Sequence, residues 1–149
     1  MNYTIRNCEE NDLKDLVLLC AAHAEYEKGE FDPSGKVEAL RSGIFDLPKR
    51  LNCWVVEVDG KIEGFSTYTF DYSTWDAASF LYMDCLFLNE KIRGKGVGTA
   101  IMKRIQAVAK EDNCVNIQWQ TPEFNALAIK FYVGLGSVGK QKMRFFMKP

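Results

Sequence analysis

The sequence has few residues of the kinds that bind transition metals, and it has no long hydrophobic run. It contains one histidine, His23, and its five cysteines include no Cys-x-x-Cys pair, so we expect no zinc site or other metal centre. Cysteines that are odd in number and widely spaced are typical of reduced thiols. Because no apolar run is long enough to cross a bilayer and no signal-peptide pattern occurs, we expect a cytoplasmic protein without a membrane partner.

The composition is that of an ordinary globular protein. With 149 residues, of which 47% are hydrophobic and 26% are charged, the chain is predicted to form a single domain over residues 1–149. Its net charge of −1 conceals a division, because residues 1–90 hold 17 acidic and 8 basic side chains whereas residues 91–149 hold 3 and 11. The division suits a cationic substrate on the first part and a polyanionic cofactor on the second. Alternatively, folding interleaves the two parts and little net field survives. We expect no nucleic-acid partner.

The stretch Arg93–Thr99 reads Arg-Gly-Lys-Gly-Val-Gly-Thr and lies between an apolar run and a helical pattern. Glycines at alternate positions leave backbone amides uncovered, and a turn that leads into a helix N-terminus favours an anion. Arg93 and Lys95 add positive charge at the same place. The glycine spacing fits neither the P-loop nor the dinucleotide-binding fingerprint. The stretch predicts a diphosphate site, with an ordinary glycine-rich turn as the alternative.

Hydrophobic periodicity predicts helices and strands along the whole chain. Asp59-Gly60, between two apolar strands, predicts a hairpin, and these strands and the next one are expected to form an antiparallel meander. Asn11 is expected to cap the first helix. The predicted strands are Tyr3–Asn7, Cys53–Val58, Ile62–Phe70, Ser79–Leu88, Val115–Gln120 and Met143–Met147. The predicted helices are Asn11–Tyr26, Pro33–Phe45, Thr99–Glu111 and Pro122–Tyr132.

This order of elements, together with the glycine-rich loop, resembles the GNAT superfamily of N-acetyltransferases over essentially the whole chain. A second motif supports the resemblance, because Asn125, the pair Phe131-Tyr132 and Gly136 are similar to the family's Asn…Phe-Tyr…Gly segment. The resemblance implies an α/β (α+β) fold of the GNAT acyl-CoA N-acyltransferase type. Such a fold has a mixed, mostly antiparallel central sheet that is flanked by helices.

Within that superfamily the chain looks most similar to the diamine and polyamine acetyltransferases of the spermidine/spermine type. The local matches are Tyr72-x-x-Trp75, Leu81-Tyr82-x-Asp84 and Glu25-Tyr26-Glu27. The chain departs from these enzymes where Ser73 and Thr74 replace an acidic residue and a proline. It departs again where Asp84-Cys85 replaces a Glu-Asp pair.

The resemblance implies acetyl-CoA as the cofactor. Backbone groups of Leu86, Phe87 and Leu88 are expected to bond the pantetheine arm as they would an added strand. The amides of the loop are expected to hold the diphosphate, and Asn125 is expected to contact the cofactor from the following helix. The residues predicted for the diphosphate site are Arg93, Gly94, Lys95, Gly96, Val97, Gly98 and Thr99.

Two side chains are predicted to take part in the chemistry. Tyr132 is the candidate general acid, since it matches the family's tyrosine and a phenol is protonated at neutral pH. The alternative is a core tyrosine that packs beside Phe131. Asp84 is the candidate on the amine side, as a base through water or as an ammonium anchor, because a carboxylate in an apolar strand is costly without a partner or a role. The alternative is an aspartate that faces solvent. Further residues predicted for the acceptor pocket are Glu25, Tyr26, Glu27 and Trp75.

We therefore predict an enzyme that moves an acetyl group from acetyl-CoA directly to the primary amine of a small cationic acceptor, such as a diamine, a polyamine or a lysine-like compound. A covalent step through Cys85 is not expected, because no partnered histidine is apparent. One alternative is the acetylation of protein N-termini or lysines, and another is a CoA-binding sensor without activity. A homodimer is also expected, with the segment Phe145–Met147 as an exchangeable strand edge.

Overall fold

The computed structural model describes residues 1–149. Its strands are β1 (Thr4–Asn7), β2 (Asn52–Val58), β3 (Lys61–Ser73), β4 (Ala78–Leu88) and β5 (Ile117–Gln118). Its helices are α1 (Leu13–Tyr26), α2 (Lys36–Phe45), α3 (Val97–Glu111) and α4 (Ala126–Gly134). The five strands form one sheet in the order β1-β2-β3-β4-β5, and only the β4–β5 pair is parallel. The predicted mixed, mostly antiparallel sheet is confirmed. None of these helices has the length and apolar character that a membrane span requires.

The β2–β3 hairpin turns at Asp59-Gly60, as the sequence predicts. The φ angles of these two residues are both positive, at 50° and 76°. A two-residue turn of this kind matches the twist of the strands that it joins, and Asp-Gly adopts it readily. Since β3 also pairs antiparallel with β4, the predicted meander is confirmed.

Helices cover both faces of the sheet because each strand buries alternate side chains on opposite sides. Val56 lies in the cluster that contains Ile101 and Ile105 of α3. Its neighbour Val55 lies in a second cluster, with Leu16 of α1 and with residues of α2. The apolar stripe of α3 therefore packs on one face, while α1 and α2 pack on the other.

A β-bulge at Asp84 divides β4 into two parts. Met83 pairs with Tyr68 and Cys85 pairs with Thr67, so Asp84 has no partner on β3. Before the bulge, Met83 packs in the α3 cluster, whereas after it Cys85 packs in the α1 cluster. One extra residue thus reverses the alternation and leaves Asp84 exposed at a bend of the strand.

The predicted last strand, Met143–Met147, is wrong for the single chain, in which residues 137–149 form neither helix nor strand. A strand needs a neighbour that supplies hydrogen bonds, and this segment pairs with none of the five strands of the sheet. The predicted strand Val115–Gln120 is also shorter than expected, because only Ile117 and Gln118 pair with β4.

All four helices begin at other residues than predicted, at Leu13, Lys36, Val97 and Ala126 instead of Asn11, Pro33, Thr99 and Pro122. The helix predicted from Pro122 begins at Ala126, because the side chain of Asn125 accepts a hydrogen bond from the amide of Ala128 and caps it. Asn11 does not cap α1. Asp12, the residue directly before α1, uses its side chain to accept a hydrogen bond of 2.7 Å from the amide of Glu9 in the preceding turn.

Candidate active site

The loop before α3 is shaped to receive an anion. Gly94 and Gly96 have φ angles of 69° and 81°, a backbone conformation that side chains disfavour. A Cβ atom at either position would meet no atom within 4 Å, so the loop presents open backbone. Gly96 is the N-cap of α3, and the first amides of a helix have no acceptor within it. The loop and the helix start thus leave donors for a phosphate.

The two sequence motifs meet at Gly98. A Cβ atom on Gly98 would lie only 3.1 Å from Cζ of Phe131 on α4. The absence of a side chain at Gly98 allows this close approach. The packing places the N-terminus of α3 next to the helix that carries Tyr132 and Asn125.

An open strand edge leads from the loop into the sheet. β4 and β5 pair at Leu81–Ile117 and Tyr82–Gln118, and no pair joins the two strands after Tyr82. The edge of β4 from Met83 to Leu88 therefore has no strand on the β5 side, although the carbonyl oxygen of Leu88 accepts a hydrogen bond from Arg93. This stretch contains Leu86, Phe87 and Leu88, whose backbone groups are predicted from the sequence to bond an extended arm of the cofactor.

Arg93 is turned away from the loop. Its Nε donates a hydrogen bond of 2.7 Å to the carbonyl oxygen of Leu88. Its guanidinium carbon lies 4.5 Å from the centre of the Tyr26 ring and 5.5 Å from that of Phe87. The side chain thus joins the end of α1 to β4, and Lys95 remains as the exposed cation of the loop.

Tyr132 lies half-buried between aromatic side chains. Its ring centre is 5.1 Å from that of Trp119 and 5.2 Å from that of Phe131. Burial, and then the negative charge of Glu27, raise the pKa of Tyr132 to about 12. The phenol is consequently protonated at neutral pH and remains a proton donor. Trp119, which orients it, was missed by the sequence analysis.

The thiols near Asp84 are not activated. Burial, followed by the charge of Asp84, raises the pKa of Cys85 to about 12 and that of Cys20 to about 11. A nucleophilic cysteine needs its thiolate, and these thiols are protonated at neutral pH. The protonated state of these thiols therefore favours direct transfer over a covalent intermediate on Cys85.

The end of α1 brings two of the predicted pocket residues, Tyr26 and Glu27, near the start of α4 and the open part of β4. Tyr26 donates a hydrogen bond of 3.3 Å from its hydroxyl to Oδ1 of Asn125, which links α1 to the start of α4. Oε2 of Glu27 lies 3.0 Å from Nε2 of His23, and the charges of Glu27 and Asp84 both raise the pKa of His23, against the larger opposing effect of burial. His23 was examined in the sequence only as a metal ligand. Its spacing of four residues from Glu27 on a helix was the signal that could have found it.

Trp75 and Glu25 lie outside this arrangement. Trp75 is 96% exposed in the turn between β3 and β4. Asp84 lies six positions further along β4 than Ala78, at the start of that strand, which corresponds to about 20 Å. Glu25 is exposed on α1. The single chain does not bring Trp75 to the bulge.

The site so described combines an anion cradle, an open strand edge and a half-buried phenol that holds its proton. These features define a transferase that takes an acyl group from a CoA thioester. A family model described as the Acetyltransferase (GNAT) family matches residues 16–136. Since this match covers most of the chain, the protein belongs to the GNAT family of acetyltransferases.

Individual relatives agree with this assignment. A thialysine N-epsilon-acetyltransferase from Bos taurus is 29% identical over 141 residues, which cover 89% of this chain and 82% of the relative. The spermidine/spermine N(1)-acetyltransferase-like protein 1 of Homo sapiens is 25% identical over 144 residues, which cover 91% of this chain and 20% of that protein. A solved aminoglycoside N-acetyltransferase in complex with CoA has a TM-score of 0.80 at 17% identity and covers 99% of this chain and 95% of that one.

The predicted family, fold and enzyme class are therefore confirmed. The chain is an N-acetyltransferase with the GNAT fold, and its relatives support the acetylation of an amine in general. Members of the family use acetyl-CoA. Among the residues of the structure, no group of His, Cys, Asp and Glu side chains is placed to hold a metal ion.

Proposed function

We propose that the enzyme transfers the acetyl group of acetyl-CoA to the primary amine of a small cationic acceptor, such as a diamine, a polyamine or a lysine-like compound. The observation that carries this proposal is the pair of carboxylates on the acceptor side. Glu27 at the end of α1 and Asp84 in the bulge of β4 both act on His23, which lies between the helix and the sheet. Two carboxylates beside aromatic rings form a site for an ammonium group.

The relatives support a cationic acceptor. The names of the bovine and human proteins refer to thialysine and to spermidine or spermine. Similarity of 25% to 29% supports acetylation of an amine, and the carboxylates of this chain favour an acceptor with a positive charge.

The open backbone of Gly94 and Gly96 and the first amides of α3 fit a diphosphate, because they supply several N–H donors at the positive end of a helix dipole. Lys95 adds a cation. Acetyl-CoA, when bound, supplies an activated acyl group. Val97, Gly98 and Thr99 contribute the amides of the first helical turn. Arg93 reaches the diphosphate only if it leaves the carbonyl oxygen of Leu88.

Leu86, Phe87 and Leu88 hold the extended arm along the free edge of β4, and they direct it toward the bulge. Asn125 lies at the start of α4, where its Oδ1 is already engaged by Ala128 and Tyr26. Its amide group remains available as a donor to the cofactor.

Tyr132 donates its proton to the departing sulfur. The raised pKa of the phenol keeps that proton available throughout the neutral range. Asp84 holds the acceptor's amine beside the reacting carbonyl, since the bulge presents this carboxylate where the strand edge opens. The proton of the ammonium leaves from this position through water.

Release of free thiol from acetyl-CoA in the presence of a panel of amines tests the proposal. We expect thiol release with diamines, polyamines and lysine-like amines, and none with analogues of these compounds that carry no positive charge. Asp84→Asn should raise the acceptor KM at least about tenfold, because an ammonium loses its counter-charge. Glu111→Gln removes an exposed carboxylate at the end of α3 and serves as the matched control. Turnover of peptides alone would support protein acetylation instead, and binding without thiol release would support a sensor.

We also propose that two chains form a homodimer through the C-terminal segment. Met143, Phe145, Phe146 and Met147 are between 81% and 96% exposed in the single chain. Large exposed apolar side chains on a segment without a strand partner in its own chain are suited to pairing with a strand edge of a second copy. Sedimentation at micromolar concentration should show a dimer, and Phe146→Asp should weaken it. A wild-type monomer under these conditions would contradict the proposal.

A further inference from the structure

The chain's single histidine lies in the acceptor region and is not part of either sequence motif. The imidazole of His23 stacks on the ring of Phe87, with 5.3 Å between ring centres and 26° between planes. Its edge meets Phe65, with centres 6.0 Å apart. Its Nε2 lies 3.0 Å from Oε2 of Glu27. The ring thus packs on two neighbouring strands of the sheet, and the carboxylate of Glu27, at the end of the same helix, lies beside it.

Charged groups on three of the elements around this imidazole act on its pKa, whereas β3 contributes only the ring of Phe65. Glu27 approaches from α1, Asp84 from the bulge of β4, and Arg93 from the turn before α3. The guanidinium of Arg93 is occupied by the carbonyl oxygen of Leu88 and the ring of Tyr26. A cation that enters the region from solvent therefore meets the same two carboxylates that face His23.

We propose that His23 is a positioning residue of the acceptor site and acts through Glu27. A neutral imidazole leaves the charge of the Glu27 carboxylate to the acceptor's ammonium, whereas a protonated imidazole competes with that ammonium. This inference rests on the proposed function, because it requires a cationic acceptor beside Glu27 and Asp84.

The charge state of His23 supports this role. Burial lowers the pKa of His23, against the opposing effect of the Glu27 and Asp84 charges, so the imidazole is neutral at pH 7 and above. Two unit charges about 6 Å apart change an equilibrium about threefold in bulk water and about a hundredfold at an effective dielectric constant of about 20, so we expect a change of about tenfold between these limits.

This repulsion couples the acceptor to the proton on His23, and the coupling is reciprocal. A bound ammonium should weaken the proton affinity of His23 about tenfold, and a proton on His23 should weaken acceptor binding by the same factor. The acceptor KM should therefore rise about tenfold as the pH falls through the pKa of His23. The KM for acetyl-CoA should not follow this change, because the cofactor is bound by the α3 loop.

The first experiment measures His23 without relying on turnover. Because the chain has one histidine, a proton–carbon NMR titration gives one imidazole signal. Putrescine, a four-carbon diamine, should lower the proton affinity of His23 about tenfold, and the corresponding neutral diol should leave it unchanged. Glu27→Gln should lower the proton affinity of His23 in the free enzyme, because it removes an attractive charge. If putrescine does not move the titration of His23, the proposal is wrong.

The second experiment separates positioning from a purely structural role. In His23→Gln, the acceptor KM should no longer change between about pH 5.5 and pH 8. The matched control adds Lys14→His to this variant, which places a histidine on an exposed position of α1 and should not restore the pH dependence. A pH dependence that persists in His23→Gln would overturn the proposal.

The two proposals can also be told apart. An enzyme that does not acetylate putrescine, but whose His23 signal responds to it, would exclude that acceptor and keep the role of His23. Acetylation of putrescine with no response of the His23 signal would keep the proposed function and overturn the role of His23.

Discussion

Replacing Gly96 by alanine tests the anion cradle at a single backbone position. The φ angle of Gly96 is 81° and the space around its Cα is open, so alanine is opposed by backbone strain and not by a clash. An L-residue in this conformation costs about 1–2 kcal/mol. For a chain of this size, that cost corresponds to a decrease in Tm of about 2–8 °C.

The same substitution should weaken the binding of acetyl-CoA. If the strain moves one amide of the α3 start out of reach, the diphosphate loses a charge-assisted hydrogen bond, which is worth about 1.5–3 kcal/mol. The KM for acetyl-CoA should then rise about 10- to 100-fold. The assay is thiol release with the amine at saturation and acetyl-CoA varied.

Gly60→Ala is the matched control for this variant. Gly60 has a φ angle of 76° and equally open space, but it lies in the β2–β3 turn. It should show a similar decrease in Tm and an unchanged KM for acetyl-CoA. The diphosphate assignment would be refuted if Gly96→Ala lowered Tm and left KM unchanged, or if both variants raised KM equally.

Three further predictions follow from the environments of single side chains. Tyr132→Phe should lower kcat about 100-fold or more with little change in the KM for acetyl-CoA. Because burial raises the pKa of Tyr132 to about 12, the kcat of the wild-type enzyme should not fall between about pH 8 and pH 10. An unchanged kcat would remove Tyr132 from the mechanism. Cys85→Ala should keep kcat within about threefold, since burial raises the pKa of that thiol to about 12; a complete loss of activity in a folded variant would contradict this. Asp12→Asn should lower the free energy of unfolding by about 1–3 kcal/mol at pH 7, because the hydrogen bonds from Arg6 are weakened. These bonds lower the pKa of Asp12, so the difference should diminish below about pH 4 in urea titrations.

Much of the fold follows from local patterns in the sequence. The stripe of Ile101 and Ile105 predicts α3 and its buried face, and Asp59-Gly60 predicts the hairpin of the meander. The alternate glycines of the loop predict a backbone that is open at the start of a helix. These features depend on residues close together in the chain, where periodicity and turn chemistry are sufficient.

The acceptor region depends on contacts between distant segments and was predicted less well. The bulge at Asp84 arises from the register between β3 and β4, and a regular apolar pattern cannot reveal one extra residue. The place of Arg93 against Tyr26 and the position of His23 beside Phe87 likewise require the packing of α1 on the sheet. The final strand failed for a related reason, since residues 137–149 pair with no strand of the sheet.

The glycine-rich loop and the segment from Asn125 to Tyr132 were sufficient to indicate the family and a cofactor bound through its diphosphate. Their chemistry lies in backbone amides and in one phenol, which local sequence places without knowledge of distant neighbours. Only the tertiary structure decided which charges face the acceptor. His23 and Glu27 lie four residues apart at the end of α1, whereas Asp84 comes from a distant segment and acts on them only after α1 has packed across β4.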